Sequence, residues 1–300
     1  MSKTKVIWKS YHEPDAISRG YWDQALLEEM LSGVEFEHQT DFSNLKKKDG
    51  AVVVINGRMH TSSEDRTKIN NDIEKLRWVF FIVTGDEEAQ FPWRDIKHKL
   101  MKIWVQLPRL AQHDDAHGYF PNGYRPTTRA LLKEIGQQER DLDWSFIGQV
   151  NHERRERCYD VLHQFQAVYP KTVVQTTKEF GKELVPYPEY LKIMAKSKIV
   201  LCPSGVESPD SFRLYEALEA GCIPVVDAFS ANFKTSGFWP YLLGKDIPFP
   251  IVKYWDELPQ VLPVLLRDYR IHSNRIFAWW QLKKFKVKRK LIKEIKGLSR

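Results

Sequence analysis

The sequence predicts an α/β fold in two domains, each a parallel sheet covered by helices, and three observations carry that prediction. Short apolar runs alternate with helix-like segments along nearly the whole chain, the pattern of strand–helix–strand units. The alternation fades once, between 107 and 126, where Pro108, Gly118, Pro121, Gly123 and Pro126 crowd together. The chain has 300 residues, 42% of them hydrophobic, which suffices for two cores of about 150 residues each.

In the first half, Lys5 to Trp8 is a short strand. Tyr21 to Leu31 is a helix with Leu26, Leu27, Met30 and Leu31 on one side. Ala51 to Ile55 reads as a buried strand closed by Asn56-Gly57. Ser63 to Leu76 is a polar helix, capped by Thr61, Ser62 or Ser63. Trp78 to Val83 is the most hydrophobic strand and ends at Thr84-Gly85-Asp86. Lys102 to Gln106 is a further strand. The stretch after it carries His113, Asp114, Asp115 and His117, which are metal-ligand types but read as a polar loop. A boundary near Pro126 makes residues 1–125 an N-terminal domain.

The alternation then restarts. Thr127 to Gln138 is a helix, and Trp144 to Ile147 a strand that stops at Gly148. Glu153 to Phe165 is a helix, Thr172 to Gln175 a strand, and Tyr187 to Ala195 a helix. Ser197 to Cys202 is a strand stopping at Pro203-Ser204-Gly205. Ser211 to Ala220 is a helix that Gly221 ends, and Ile223 to Val226 the next strand. A final helix starts near Leu258, with a break expected at His272 to Asn274. Residues 126–270 form the second domain, and 271–300 a basic amphipathic helix.

No apolar run reaches the roughly 18 residues that a membrane span needs. The first ten residues carry lysines without an apolar core, so no signal peptide is expected. Cys158, Cys202 and Cys222 have neither metal-type spacing nor an even disulfide count. They suit a reducing compartment, no Asn-x-Ser/Thr sequon occurs, and a cytoplasmic location is expected. The net charge of +7 is concentrated: Lys283 to Arg300 holds nine lysines and arginines against Glu294, a net +8, so the rest sums to −1. Either a solvated helix face or attraction to a polyanion accounts for this segment. The polyanion is an anionic membrane surface or nucleic acid.

In open parallel sheets, ligands bind at the carboxyl ends of strands. The stretch Leu201 to Asp227 (LCPSGVESPDSFRLYEALEAGCIPVVD) places a small, flexible loop there, followed by a helix opening at Asp210-Ser211. A helix N-terminus is an anion site. Arg213 in its first turn adds a bidentate phosphate contact. Glu216, three positions on, shares its face and can accept ribose hydroxyls. A capped helix with an internal Arg–Glu pair explains the same spacing equally well.

The segment "LCPSG…SFRLYEALEAGCIPVV" resembles the donor-binding segment of exostosin-type glycosyltransferases, and "WSFIGQVNHERRERCYDVL" resembles an earlier strand–Gly–Arg segment of the same family. The resemblance runs from about Trp144 to Asp227. It implies the GT-B fold: two facing Rossmann-like domains, an acceptor domain and a donor domain, with a C-terminal helix crossing back to the first. It implies a nucleotide-sugar donor, UDP-linked, as co-substrate, with no further cofactor and no metal. Ser211, Phe212 and Arg213, with the Ser204 loop, would hold the diphosphate, and Glu216 the ribose. Gly148 and Gln149 would lie under the sugar-phosphate, and Arg154 or Arg155 would offset leaving-group charge. Asp141-Leu142-Asp143 has metal-type spacing but precedes a strand, at the wrong sheet edge.

An inverting transfer needs a base to deprotonate the acceptor hydroxyl. The candidates are Asp86 and Glu87 after the Trp78 strand, with Glu13 and His12 behind them; Arg58 and His60 would face the acceptor. The acceptor is a glycan or lipid-linked saccharide, or alternatively a hydroxymethylated DNA base of the phage type. The tail would then work at the inner membrane face or in a phage-infected host. A non-catalytic nucleotide- or polyanion-binding module and a sugar-nucleotide epimerase are the competing classes.

Overall fold

A computed structural model describes residues 4–9, 24–39, 42–43, 45–47, 49–57, 62–86, 90–106, 116–179, 184–234 and 237–300. The chain divides into two compact units. One comprises residues 1–122 together with 284–300, the other residues 123–283.

The first unit is built on a six-stranded sheet, all parallel, in the order β2-β1-β3-β4-β5-β6. Its strands are β1 (Thr4–Lys9), β2 (Phe36–Gln39), β3 (Gly50–Asn56), β4 (Trp78–Thr84), β5 (Met101–Gln106) and β6 (Gly118–Phe120). Every residue of β4 is buried, as expected where helices cover both faces of a parallel sheet. Helix α1 (Gln24–Leu31) buries Leu26, Leu27, Met30 and Leu31. Helix α2 (Ser63–Glu74) starts at Ser62, whose hydroxyl accepts from the Asp65 amide at 3.1 Å, and buries Ile69 and Ile73. Strand β2 and strand β6 are additions to the expected set. β6 falls in the stretch read as a linker, because three residues are too few to show a period. Gly118 is required there: a Cβ would stand 2.4 Å from the Trp104 ring.

The second unit has five parallel strands in the order β11-β10-β9-β7-β8. They are β7 (Leu142–Gln149), β8 (Thr172–Thr177), β9 (Ser197–Cys202), β10 (Ile223–Asp227) and β11 (Ile251–Val252). Helices α3 (Thr128–Ile135), α4 (Glu153–Phe165), α5 (Tyr187–Lys196), α6 (Phe212–Glu219), α7 (Phe238–Leu243) and α8 (Leu258–Arg267) connect and cover them. After β7 the chain adds β8 on one side and β9 on the other. The crevice between β7 and β9 is therefore the topological switch point, where such sheets take ligands. The three cysteines are free and buried.

Helix α9 (Tyr269–Leu298) runs 30 residues, and from Lys284 onward it belongs to the first unit. The C-terminal helix thus crosses back as the resemblance implied. Ile276, Trp280, Lys284, Leu291, Ile295 and Leu298 are buried along it, at spacings of three, four or seven residues that keep one helical line. Lys284 pairs with Glu29 at 3.3 Å, and the Trp104 indole N–H donates to Glu294 at 2.9 Å. Phe277 is exposed; it lies about 100° round the helix from buried Ile276. The helix break lies at Asp268, where the backbone leaves the helical region, and not at His272 to Asn274. Among the described residues no helix is long and apolar enough to cross a membrane.

Candidate functional site

Strand β7 ends at Gly148 and Gln149, and the first turn of α6 carries Arg213. The Arg213 guanidinium lies across Gly148: its Nη2 donates to the Ile147 carbonyl at 2.9 Å, and it sits 5.2 Å over the Phe146 ring. A Cβ at position 148 would stand 2.1 Å from Nη2. Glycine is thus what lets the cation approach the strand end. The remaining nitrogens, Nε and Nη1, are buried and find no partner among the described residues. Gly148→Ala is expected to displace this guanidinium and weaken nucleotide-sugar binding about tenfold or more. Calorimetric titration checks it.

The loop from β9 to α6 supplies the other wall. Ser204 is fully buried. Its amide donates to Asp227 Oδ2 at 2.9 Å, and its carbonyl accepts from Arg155 Nε at 2.8 Å and lies 3.2 Å from His152 Nε2. The hydroxyls of Ser204 and Ser211, and Nδ1 of His152, are buried without a partner among the described residues. Ser211 starts α6 by its backbone, with no side-chain capping bond. Asp210 instead accepts from the Tyr215 hydroxyl at 2.7 Å. Phe212, the first residue of α6, and Gln149 are both half-buried. The positive end of the α6 dipole adds to this wall.

Burial pushes the His152 imidazole down to about 4, and the Arg155 and Arg154 cations add to it against the Ser204 carbonyl and Glu153. The ring is therefore neutral at neutral pH. A carbonyl only accepts, so Nε2 carries the proton that points to Ser204.

Three expected roles need correction. Glu216 shares a helix face with Arg213, but that face is turned inward and the carboxylate is buried. Tyr187 donates to its Oε1 at 2.7 Å and Tyr190 to its Oε2 at 2.9 Å, so its oxygens hold tyrosines where ribose hydroxyls were expected. Burial pushes its carboxyl up, against the pull of the two hydroxyls and Arg213. Arg154 does not face a leaving group: its Nε donates to Asp227 Oδ1 at 2.9 Å, and its Nη2 reaches Asp227 and the Lys253 carbonyl. Asp86 is buried, and its two oxygens accept the amides of Gln90 at 2.8 Å and Phe91 at 3.1 Å. It caps its own loop and is not an open base.

Glu87, Glu13 and His12, like Arg58, His60, His113, Asp114 and Asp115, lie outside the described residues. Asp143 pairs with Lys198 at 2.7 Å. Of the expected donor residues, the structure brings Arg213 onto Gly148, while Ser204 and Ser211 lie in the loop between β9 and α6. His152, Asp227, Tyr187 and Tyr190 were not singled out from the sequence. Tyr187 and Tyr190 carried a usable signal, three positions apart on one helix face.

The sequence pattern of a family described as RXYLT1 C-terminal domain matches residues 125–298. A Danio rerio protein, ribitol-5-phosphate xylosyltransferase 1, is 40% identical over 248 residues, 71% of this chain and 54% of that protein. The Homo sapiens protein of the same name is 33% identical over 112 residues, 34% of this chain and 25% of that protein. The chain thus spans between about a quarter and just over half of the length of these relatives. Among solved structures, an alpha1,3-fucosyltransferase aligns with a TM-score of 0.54 at 13% identity, covering 99% of this chain and 90% of that one. That likeness bears out the GT-B architecture, and the relatives bear out the exostosin-like resemblance. The matched stretch takes in Gly148, Ser204 and Arg213 and more than half of the sequence, and the chain belongs to the RXYLT1 C-terminal domain family.

Proposed function

We propose that this chain is a glycosyltransferase that moves xylose from UDP-xylose to an acceptor bearing ribitol 5-phosphate. One observation carries the reading: at the switch point of the second unit, the Arg213 guanidinium lies over the bare backbone of Gly148 with two buried nitrogens that have no partner among the described residues. Nε and Nη1 lie on different edges of the planar guanidinium, and each offers a charge-assisted donor to a phosphate oxygen. Ser204 and Ser211 lie in the loop that leads into the helix carrying Arg213. Sugar transfer breaks the bond to a nucleoside diphosphate, and negative charge grows on that diphosphate as it leaves. Fixed cations and dipoles in a low-dielectric site stabilise such charge without reorganising. The relatives' names support xylose as the sugar and ribitol 5-phosphate as the acceptor.

An anionic acceptor also gives the basic tail a role. Lys284 is built into the fold, but Lys286, Arg289, Lys293 and Lys296 are exposed on α9, beside exposed Phe285 and Leu282. We assign this face to the phosphates of the acceptor or of the surface that carries it. The hydroxymethylated DNA base gains no support from the relatives. The test is titration of the protein with UDP-xylose, then measurement of UDP release with and without ribitol 5-phosphate. Acceptor-dependent UDP release is expected. Binding without release would leave only a binding module, and donor conversion without UDP release would indicate an epimerase.

A further inference from the structure

We propose that His152 is a specificity residue of the donor site, whose Nδ1 accepts a hydrogen bond from a hydroxyl of the bound nucleotide-sugar. The inference rests on the donor reading above and deepens it. It comes from sorting the unpartnered buried atoms by what each can do. Arg213 Nε and Nη1 can only donate. The Ser204 and Ser211 hydroxyls can do either. His152 Nδ1 can only accept, because its Nε2 is 3.2 Å from the Ser204 carbonyl and must hold the ring's proton. The doubly esterified diphosphate of a nucleotide-sugar offers acceptors alone at neutral pH. It satisfies the arginine and both serines and leaves Nδ1 without a donor. The ligand that satisfies the whole set is a phosphate ester with a hydroxyl close to the phosphate.

The topology places that hydroxyl at the carboxyl edge of the sheet. His152 precedes α4 in the loop leaving β7, and the same Ser204 carbonyl that orients it belongs to the loop leaving β9. Both loops stand at the carboxyl edge of neighbouring strands, where Arg213 also lies. The cations nearby do not compete for Nδ1: Arg154 is taken up by Asp227, and Arg155 donates to the Ser204 carbonyl. Burial and these cations keep the ring neutral, which preserves the lone pair on Nδ1. The same low basicity makes His152 a poor proton acceptor for catalysis and a good passive reader of a hydroxyl.

The hydroxyl belongs to either the ribose or the transferred sugar, and the experiment separates these. Binding of inorganic pyrophosphate, UDP and UDP-xylose is measured by calorimetry for the wild type, His152→Phe and His152→Asn. Circular dichroism and thermal midpoints check the fold of each variant. His152→Phe is expected to bind pyrophosphate like the wild type and to lose about 10- to 100-fold in affinity for UDP-xylose. An equal loss for UDP assigns the ribose hydroxyl; UDP binding left intact assigns the sugar hydroxyl. Asparagine, whose amide oxygen falls near the place of Nδ1, is expected to recover part of the loss. The proposal is overturned if His152→Phe binds all three ligands like the wild type, or weakens all three alike. It is also overturned if asparagine and phenylalanine behave identically. A wild-type protein that binds no UDP-xylose brings down the donor reading, and this proposal with it. A wild type that binds UDP-xylose beside an unaffected His152→Phe brings down the proposal alone.

Discussion

Arg213→Ala is expected to lower kcat/KM for UDP-xylose by about 100- to 1000-fold, the range for removing one preorganised charge stabiliser from a transition state. Most of the loss should fall in kcat, because the charge on the diphosphate is larger in the transition state than in the bound donor. Arg213→Lys should recover little. A lysine offers a point charge in place of the planar fork, and it cannot both reach the Ile147 carbonyl and cover the Phe146 ring as the guanidinium does. The fold should tolerate both changes, since the substitution removes two buried nitrogens that have no partner among the described residues. Steady-state kinetics beside thermal unfolding checks this. Turnover within a few-fold of the wild type would remove Arg213 from the chemistry.

The largest effect on stability should come from Asp227→Ala, at about 3–5 kcal/mol in denaturant unfolding. Asp227 is buried at the end of β10, where burial pushes its carboxyl upward against the pull of Arg154. Its two oxygens tie Arg154 on α4 to the Ser204 amide on the β9 loop. Removing it strands a largely buried guanidinium and an amide at once, and breaking one side of a buried pair costs far more than the pair contributes. Asp227→Asn keeps the size and one acceptor and should lose less. Because Ser204 also orients His152 and Arg155, the asparagine variant should weaken donor binding even where it stays folded. Unfolding midpoints unchanged in both variants would contradict this account.

These two residues mark how far the sequence could be read. Arg213 was legible because its signal is local: a strand, a loop, and a cation in the first turn of the next helix. Asp227 and Arg154 stand 73 positions apart, and no spacing rule joins them. The central strands were legible because burial on both faces leaves long apolar runs, as in β3 and β4. β6 and β11, three and two residues long, are too short for any period. Glu216 shows a different limit. The three-residue spacing rightly put it on the face of Arg213, but α6 buries five consecutive residues, Leu214 to Leu218. A helix embedded on all sides has no polar face that tells inward from outward. Asp86 was placed correctly after β4, but a carboxylate after a strand serves equally as a base or as a cap for its own loop. Only the Gln90 and Phe91 amides decide between them.

The long helix α9 has a consequence for how the polypeptide matures. Leu291, Ile295 and Leu298 are buried in a unit whose residues before Lys284 all precede position 123. During synthesis the first 122 residues leave the ribosome well before those side chains exist. The leading lobe therefore waits, partly unsealed, until the trailing one has been made, and residue 298 closes it. Nascent chains halted before that point should expose greasy surface and engage chaperones, although the lobe written first is by then more than its own length behind.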